Sequence, residues 1–262
     1  MKKRITSAVI ALLICLPIIY AGGIPFYILS LVIALLGFRE LLNLILKDSY
    51  WIKLISYILF LFLCGSSIIK TNFDNILDYK IIGLVILIYG ITALANYKNK
   101  KFNITKCFCL IGLTIFLSLA FQVMIITRNI NLMYFIYLFI ITIATDTFAH
   151  LIGTPLGKHK INEISPNKSW EGAIGGTLFG TVIAVLFYLY YINQNINIFI
   201  IIFITLFLSI TGQFGDLFFS LIKRHYKVKD FSNIMPGHGG ILDRLDSIIF
   251  VMIAFTYFIT FL

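Results

Sequence analysis

The feature that most limits this chain is how its apolar residues are grouped. They form nine near-continuous blocks, at about 5–22, 25–46, 51–69, 81–96, 107–127, 132–152, 170–191, 198–222 and 241–262. Each approaches the roughly 20 residues a helix needs to cross a bilayer. A lipid core offers no water to backbone N–H and C=O groups, so a chain inside it forms helices or a closed barrel. Barrel strands alternate apolar and polar residues, and these blocks do not. The expectation is an all-α, polytopic integral membrane protein of about nine transmembrane helices. Composition agrees: 60% of residues are hydrophobic and 12% charged, against about 45–50% and about 25% in soluble domains. A soluble enzyme and a disordered chain are both excluded.

Charge orients the blocks. Of the 21 Lys and Arg residues, Lys70, Lys80 and Arg128 fall in segments on the side away from the N-terminus, and Arg39 lies within the second block. All the others fall on the N-terminal side. Basic residues collect in cytoplasmic loops, so the N-terminus and the loops 153–169 and 223–241 are expected in the cytoplasm, with the chain a multi-pass protein of the cell inner (plasma) membrane. Lys2, Lys3 and Arg4 before an apolar run, with Ala21-Gly22-Gly23 after it, imitate a signal peptide. The later blocks are just as apolar, so a retained first span is expected, turning tightly at Ala21-Gly22-Gly23-Ile24-Pro25. The net charge of +10 fits positive-inside loops, or an anionic lipid or substrate. No soluble basic module is present, which argues against a nucleic-acid partner. Cys15, Cys64, Cys107 and Cys109 sit in apolar stretches and read as small buried hydrophobes. Residues 1–130 are apolar spans with simple loops, a membrane scaffold. Residues 131–262 carry nearly all the polar clusters.

A charge in a spanning helix costs about 2.5–3.5 kcal/mol or more at its centre, so polar residues that persist there point to function. Three clusters do. In the first, Asp146, His150 and Gly153 share one helix face at i, i+4 and i+7, and the chain continues through Lys158, Ser165, Lys168 and Ser169 to Gly175-Gly176. Small residues there allow close helix approach, and Ser169 reads as a helix start. In the second, Asp216, Ser220 and Lys223 share a face, followed by Arg224. They are either an Asp216–Lys223 pair holding helices together, or a carboxylate metal ligand with a hydroxyl and an ammonium aimed at phosphate. In the third, Lys229-Asp230-Phe231-Ser232 leads through Pro236-Gly237-His238-Gly239-Gly240 to Asp243, Arg244 and Asp246. The glycines let backbone N–H groups approach a ligand at a helix N-terminus, where phosphate is favoured. Asp243 and Asp246, at i and i+3, suit a hard ion such as Mg²⁺, or simply oppose the helix dipole. His159 and His225 read as solvated loop histidines. Glu40, beside Arg39 in the second block, reads as a structural pair or a headgroup contact.

The run Ser220-Leu-Ile-Lys223-Arg224, four residues, Lys229-Asp230-Phe-Ser, then Pro236-Gly-His238-Gly-Gly-Ile-Leu-Asp243-Arg244-Leu-Asp246 resembles the signature of the phosphatidate cytidylyltransferases, the CDP-diacylglycerol synthases. It spans residues 220 to 246, with Met235 where that family usually has Leu, Ile or Phe. The Asp146 and Ser165-Pro166 blocks are similar too, with Thr154, His150 and Asn167 departing from the usual residues. The resemblance implies a polytopic homodimer that joins CTP and phosphatidate into CDP-diacylglycerol and diphosphate, in phospholipid biosynthesis. It implies Asp216, Asp243 and Asp246 as carboxylates for Mg²⁺, with a second, monovalent ion such as K⁺ nearby.

That chemistry accounts for what the sequence lacks. A phosphate monoester has a second pKa of about 6, so it is already a nucleophile at pH 7 and needs no strong base. The obstacle is that one anion must attack another, and catalysis reduces to positioning and charge neutralisation. Asp216, Lys223, Asp243 and Asp246 are the expected catalytic set. Asp146, Lys158, Ser165, Lys168, Ser220, Arg224, Lys229, His238, Gly239, Gly240 and Arg244 are the expected substrate and phosphate contacts. Rival readings are another lipid-nucleotide or lipid-phosphate transferase, a polytopic transporter, or a membrane scaffold without chemistry. A CDP-alcohol phosphotransferase would need an Asp-rich run beginning Asp-Gly, which is absent. A transporter would gather its polar residues at the midplane in paired halves, whereas these collect near one face.

Overall fold

The computed structural model describes residues 2–46, 49–65, 78–98, 102–235, 237 and 239–261. Among the described residues there are nine α-helices: α1 (Lys2–Ala21), α2 (Gly23–Ile45), α3 (Tyr50–Gly65), α4 (Tyr79–Ala95), α5 (Ile104–Ile130), α6 (Leu132–Leu156), α7 (Trp170–Tyr191), α8 (Ile198–His225) and α9 (Leu242–Phe255). Two isolated bridges, Lys160–Ser169 and Met235–Gly239, are the extended pairings seen among them. Five helices, α2, α5, α6, α7 and α8, are long and apolar enough to cross a membrane; the apolar part of α1 (Leu12–Ala21), α3 and α4 are shorter.

Polar residues at the edges of the apolar blocks set the helix starts. Asn131, Ser169 and Asn197 accept hydrogen bonds from the backbone N–H groups of Met133, Gly172 and Phe199, satisfying donors that an apolar cap would leave bare. The last block departs from expectation. It is not one helix over 241–262: α9 ends at Phe255, and a 3₁₀ turn follows at Ile259–Phe261. The Thr256 hydroxyl bonds the Ile253 carbonyl at 2.7 Å, and i→i+3 bonds from the N–H groups of Thr256, Tyr257 and Phe258 tighten the chain. The first turn is also tighter than expected. Gly22 alone separates α1 from α2, at φ 67°. The Arg128 guanidinium donates to the carbonyls of Ile19 and Tyr20, at 2.8 Å each. A Cβ on Gly22 would fall on that guanidinium and displace it, and the φ itself favours glycine there.

The chain divides into two compact units. The first is residues 1–130 together with 231–241. Here α5 packs on α2, α3 and α4, with Leu117, Phe121 and Ile126 buried. Phe38 stacks on Phe60 at 4.2 Å, and buried polar groups pair, Tyr89 with Thr114 at 2.9 Å and Gln122 with the Leu63 carbonyl at 3.1 Å.

The second unit is residues 131–230 with 242–262. Its tightest pairing is α6 against α7. A Cβ on Gly172 would lie 2.7 Å from the Ala149 carbonyl, and one on Gly176 2.6 Å from that of Thr145, so these backbones meet where only glycine fits. Cross-helix hydroxyl bonds join α6 to α8, Tyr137 to Thr205 at 2.6 Å and Thr145 to Ser209 at 2.7 Å. Large apolar side chains such as Leu178, Leu186, Phe199 and Phe203 point outward. An apolar surface of that extent suits lipid rather than water.

Candidate functional site

Close packing of α8 on α9 brings the acidic residues together. Gly212 and Gly215 share the α8 face that meets α9. A Cβ on Gly215 would stand 2.7 Å from the backbone oxygen of Asp246, and one on Gly212 would stand 3.1 Å from Val251. Phe250 closes against Phe218 at 5.3 Å between ring centroids. Asp216 follows Gly215 directly, in the turn of α8 that lies against Asp246. With α6 packed on both helices, the negative charges of Asp146, Asp216 and Asp246 act on one another. Ser247 lies buried beside Asp146.

Lysines interleave with these acids. Lys168 Nζ is 2.5 Å from Asp216 Oδ2, and Lys223 Nζ is 2.7 Å from Asp243 Oδ1. The second pair is the more enclosed, its side chains 12% and 6% exposed. Lys168 also acts on Asp146 and Lys223 on Asp246. The Asp216–Lys223 pairing that helical spacing allowed is therefore not the one formed: each lysine reaches across to another element. Ser220 does stay with Asp216, its hydroxyl donating at 3.4 Å. No three His, Cys, Asp or Glu side chains among the described residues form a ready metal cage, and Asp243 is engaged by Lys223. The donors are oxygen only, on two facing helices. They suit a hard ion such as Mg²⁺ that takes one or two carboxylates and leaves its other positions to water and phosphate.

The loop before α7 is built from the Glu171 carboxylate. Glu171 accepts from the Lys158 N–H at 3.2 Å, the His159 N–H at 3.3 Å, and His159 Nδ1 at 2.6 Å. His159 is thus paired, although its ring stays 78% exposed, and the reading of it as merely solvated is corrected. Trp170 N–H bonds the His159 carbonyl, Ile161 N–H that of Lys168, and Lys168 N–H that of Ser165. This closes the loop on Ser169 and aims Lys168 at Asp216. Lys158 is exposed and Ser165 half-buried. Arg224 donates to the Ile164 carbonyl at 3.4 Å, tying the end of α8 to the same loop. Lys229 and Arg244 are exposed.

The glycine-rich segment belongs to the first unit. Gly237 and Gly239 have φ of 80° and 86°, and Met235 N–H bonds the Gly239 carbonyl at 3.0 Å, making a tight reversal. Pro236 and His238 lie outside the described residues. Glu40 does not pair with Arg39, which is exposed. Its carboxylate is buried and accepts from Ser232 Oγ and Ile241 N–H. Sequence reasoning read Glu40 only as a structural pair or headgroup contact, and it passed over Glu171. A buried acid inside an apolar run was the signal for Glu40; nothing local marked Glu171 as the centre of its loop.

A helical chain with outward apolar faces, whose acids and lysines converge at one end of packed helices, has the character of a membrane enzyme handling phosphates. The chain belongs to the cytidylyltransferase family, whose model matches residues 2–262. It is similar to the phosphatidate cytidylyltransferases of Staphylococcus aureus strain COL, at 39% identity over 259 residues, and of Staphylococcus haemolyticus, at 38% over 261 residues. The enzyme of that name from Staphylococcus saprophyticus is 36% identical over 259 residues. In each case the match covers 96% of both chains.

Proposed function

We propose that this chain is a CTP:phosphatidate cytidylyltransferase, forming CDP-diacylglycerol and diphosphate. An oxygen of the phosphatidate phosphate attacks the α-phosphorus of CTP. The bond from that phosphorus to the β-phosphate bridging oxygen breaks, and diphosphate leaves with the electron pair. The observation that carries the reading is the close packing of α8 on α9 at Gly215 and Asp246, with the ion pairs Lys168–Asp216 and Lys223–Asp243 beside it, in a chain of this family.

The residues divide the electrostatic work. Lys168 and Lys223 sit on carboxylates and can turn to incoming phosphate, exchanging one anion for another. Arg224 and Arg244 add guanidinium groups able to bind phosphate bidentately, and Lys158, Lys229, Ser165 and Ser220 complete the polar lining. His238, Gly239 and Gly240 contribute to holding the CTP phosphates, with backbone N–H groups as donors. Asp216 and Asp246, with Asp243 once Lys223 releases it, would hold Mg²⁺, and K⁺ would be the second ion. Bound there, Mg²⁺ would offset triphosphate charge and favour departure of diphosphate.

Phosphatidate stays in the bilayer, so its headgroup meets water-borne CTP at the membrane surface. The charge distribution supports an N-terminus, and loops 153–169 and 223–241, on the cytoplasmic side. In this reading the chain crosses the inner membrane about nine times and works as a homodimer, residues 1–130 serving as scaffold and 131–262 carrying the chemistry; nucleic acid has no part in it. The test is purified protein in lipid nanodiscs with labelled CTP, Mg²⁺ and phosphatidate. A lipid-soluble cytidine product that depends on phosphatidate is expected. No product, or equal product from a polyprenyl phosphate, would refute the reading.

A further inference from the structure

We infer that Glu40 is a positioning residue for the transfer reaction, a staple that closes the neck of the glycine-rich segment 231–241. Glu40 lies in α2, 2% exposed, separated by 192 and 201 positions from the residues it binds. Ser232 Oγ donates to Glu40 Oε1 at 2.6 Å, and Ile241 N–H donates to the same oxygen at 2.8 Å. One carboxylate oxygen therefore joins the two ends of the segment. Within the neck, Met235 and Gly239 form their own bridge, and Phe231 and Ile241 are buried at the two ends.

Gly240 shows how closely the carboxylate is approached. A Cβ there would lie 2.5–2.7 Å from the Glu40 carboxyl atoms, so a side chain at 240 would displace the carboxylate from where it stands. Burying a carboxylate is costly unless donors meet it. Here a hydroxyl and a backbone N–H do, in charge-assisted bonds stronger than neutral ones. A loop tied at both ends has already lost the freedom that ligand binding would otherwise have to remove.

The inference rests on the reading of this segment as the holder of the CTP phosphates. It makes a prediction that a purely structural Glu40 does not. Glu40→Ala should raise KM for CTP about tenfold or more, with KM for phosphatidate changed less than about twofold, because only the nucleotide meets the loosened loop. Glu40→Gln should recover most of that loss, since one amide oxygen can take both bonds. Ser232→Ala should raise KM for CTP by a smaller factor, and combined with Glu40→Ala it should add little. Folded Glu40→Ala protein with unchanged KM for CTP would overturn the staple, even with a lower melting temperature. Should Glu40→Ala not fold, Ser232→Ala decides in the same way. His238→Ala separates the two layers. A raised KM for CTP in His238→Ala with none in Glu40→Ala removes the staple alone, and no change in either removes the reading beneath it.

Discussion

Replacing Gly215 by Ala tests whether the spacing of α8 and α9 sets the rate. The added Cβ would stand 2.7 Å from the Asp246 backbone oxygen and 3.0 Å from Phe250 Cβ. Ordinary contact begins at 3.4 Å, so the helices must separate by about 0.7 Å. The nearest obstacle is backbone and cannot rotate aside. The shift falls between Asp216 and Asp246, the residues whose mutual distance matters. Overpacking of this kind costs about 1–3 kcal/mol in stability, and a displacement near 1 Å can cost about 100-fold in rate. Initial rates of lipid-linked cytidine formation at saturating CTP and phosphatidate should therefore fall about 10- to 100-fold. Gly212→Ala is the control: its Cβ meets a Val251 methyl at 3.1 Å, which can yield, so its rate should fall less than about threefold. Folded Gly215→Ala protein with wild-type turnover would refute the argument that helix spacing positions the carboxylates.

Asp246→Asn should abolish turnover while leaving the protein folded, as judged by gel filtration in detergent, and near-normal activity would remove Asp246 from the reacting group. Lys223→Ala leaves Asp243 enclosed without its 2.7 Å partner. Breaking an enclosed pair costs about 3–5 kcal/mol, so its melting temperature should drop and Lys223→Ala/Asp243→Asn should regain part of it; equal melting of single and double variants would show that the pair does not matter to stability. EDTA should stop product formation and added Mg²⁺ restore it, whereas activity surviving complete chelation would exclude the divalent ion. In a cysteine-free background, Asn195→Cys should react with an impermeant maleimide on intact cells and Lys229→Cys only after permeabilisation; the reverse pattern would invert the topology.

Helix position was largely legible in the sequence because run length and edge residues are local quantities. The block at 170–191 coincides with α7, and Ser169 caps it as its position suggested, since a hydroxyl before an apolar run has one nearby use. The last block misled, because apolar content alone does not reveal that Thr256 ends the helix. Helical spacing correctly put Asp216, Ser220 and Lys223 on one face, yet it could not say where that face looks.

The amino-acid order by itself determined that the chain is helical, where most of its helices lie, and which rare polar residues must have a purpose. Those follow from backbone groups that need partners in a dry medium and from the cost of charge within it. Tertiary structure alone decided the partnerships: Lys168 with Asp216, Lys223 with Asp243, Glu171 with the turn at His159, and Glu40 with a loop some two hundred residues away. The reason is physical. Periodicity describes one helix about its own axis, whereas contacts between helices depend on how near glycines such as Gly172, Gly176 and Gly215 let two backbones come, and that distance exists only once the helices are packed.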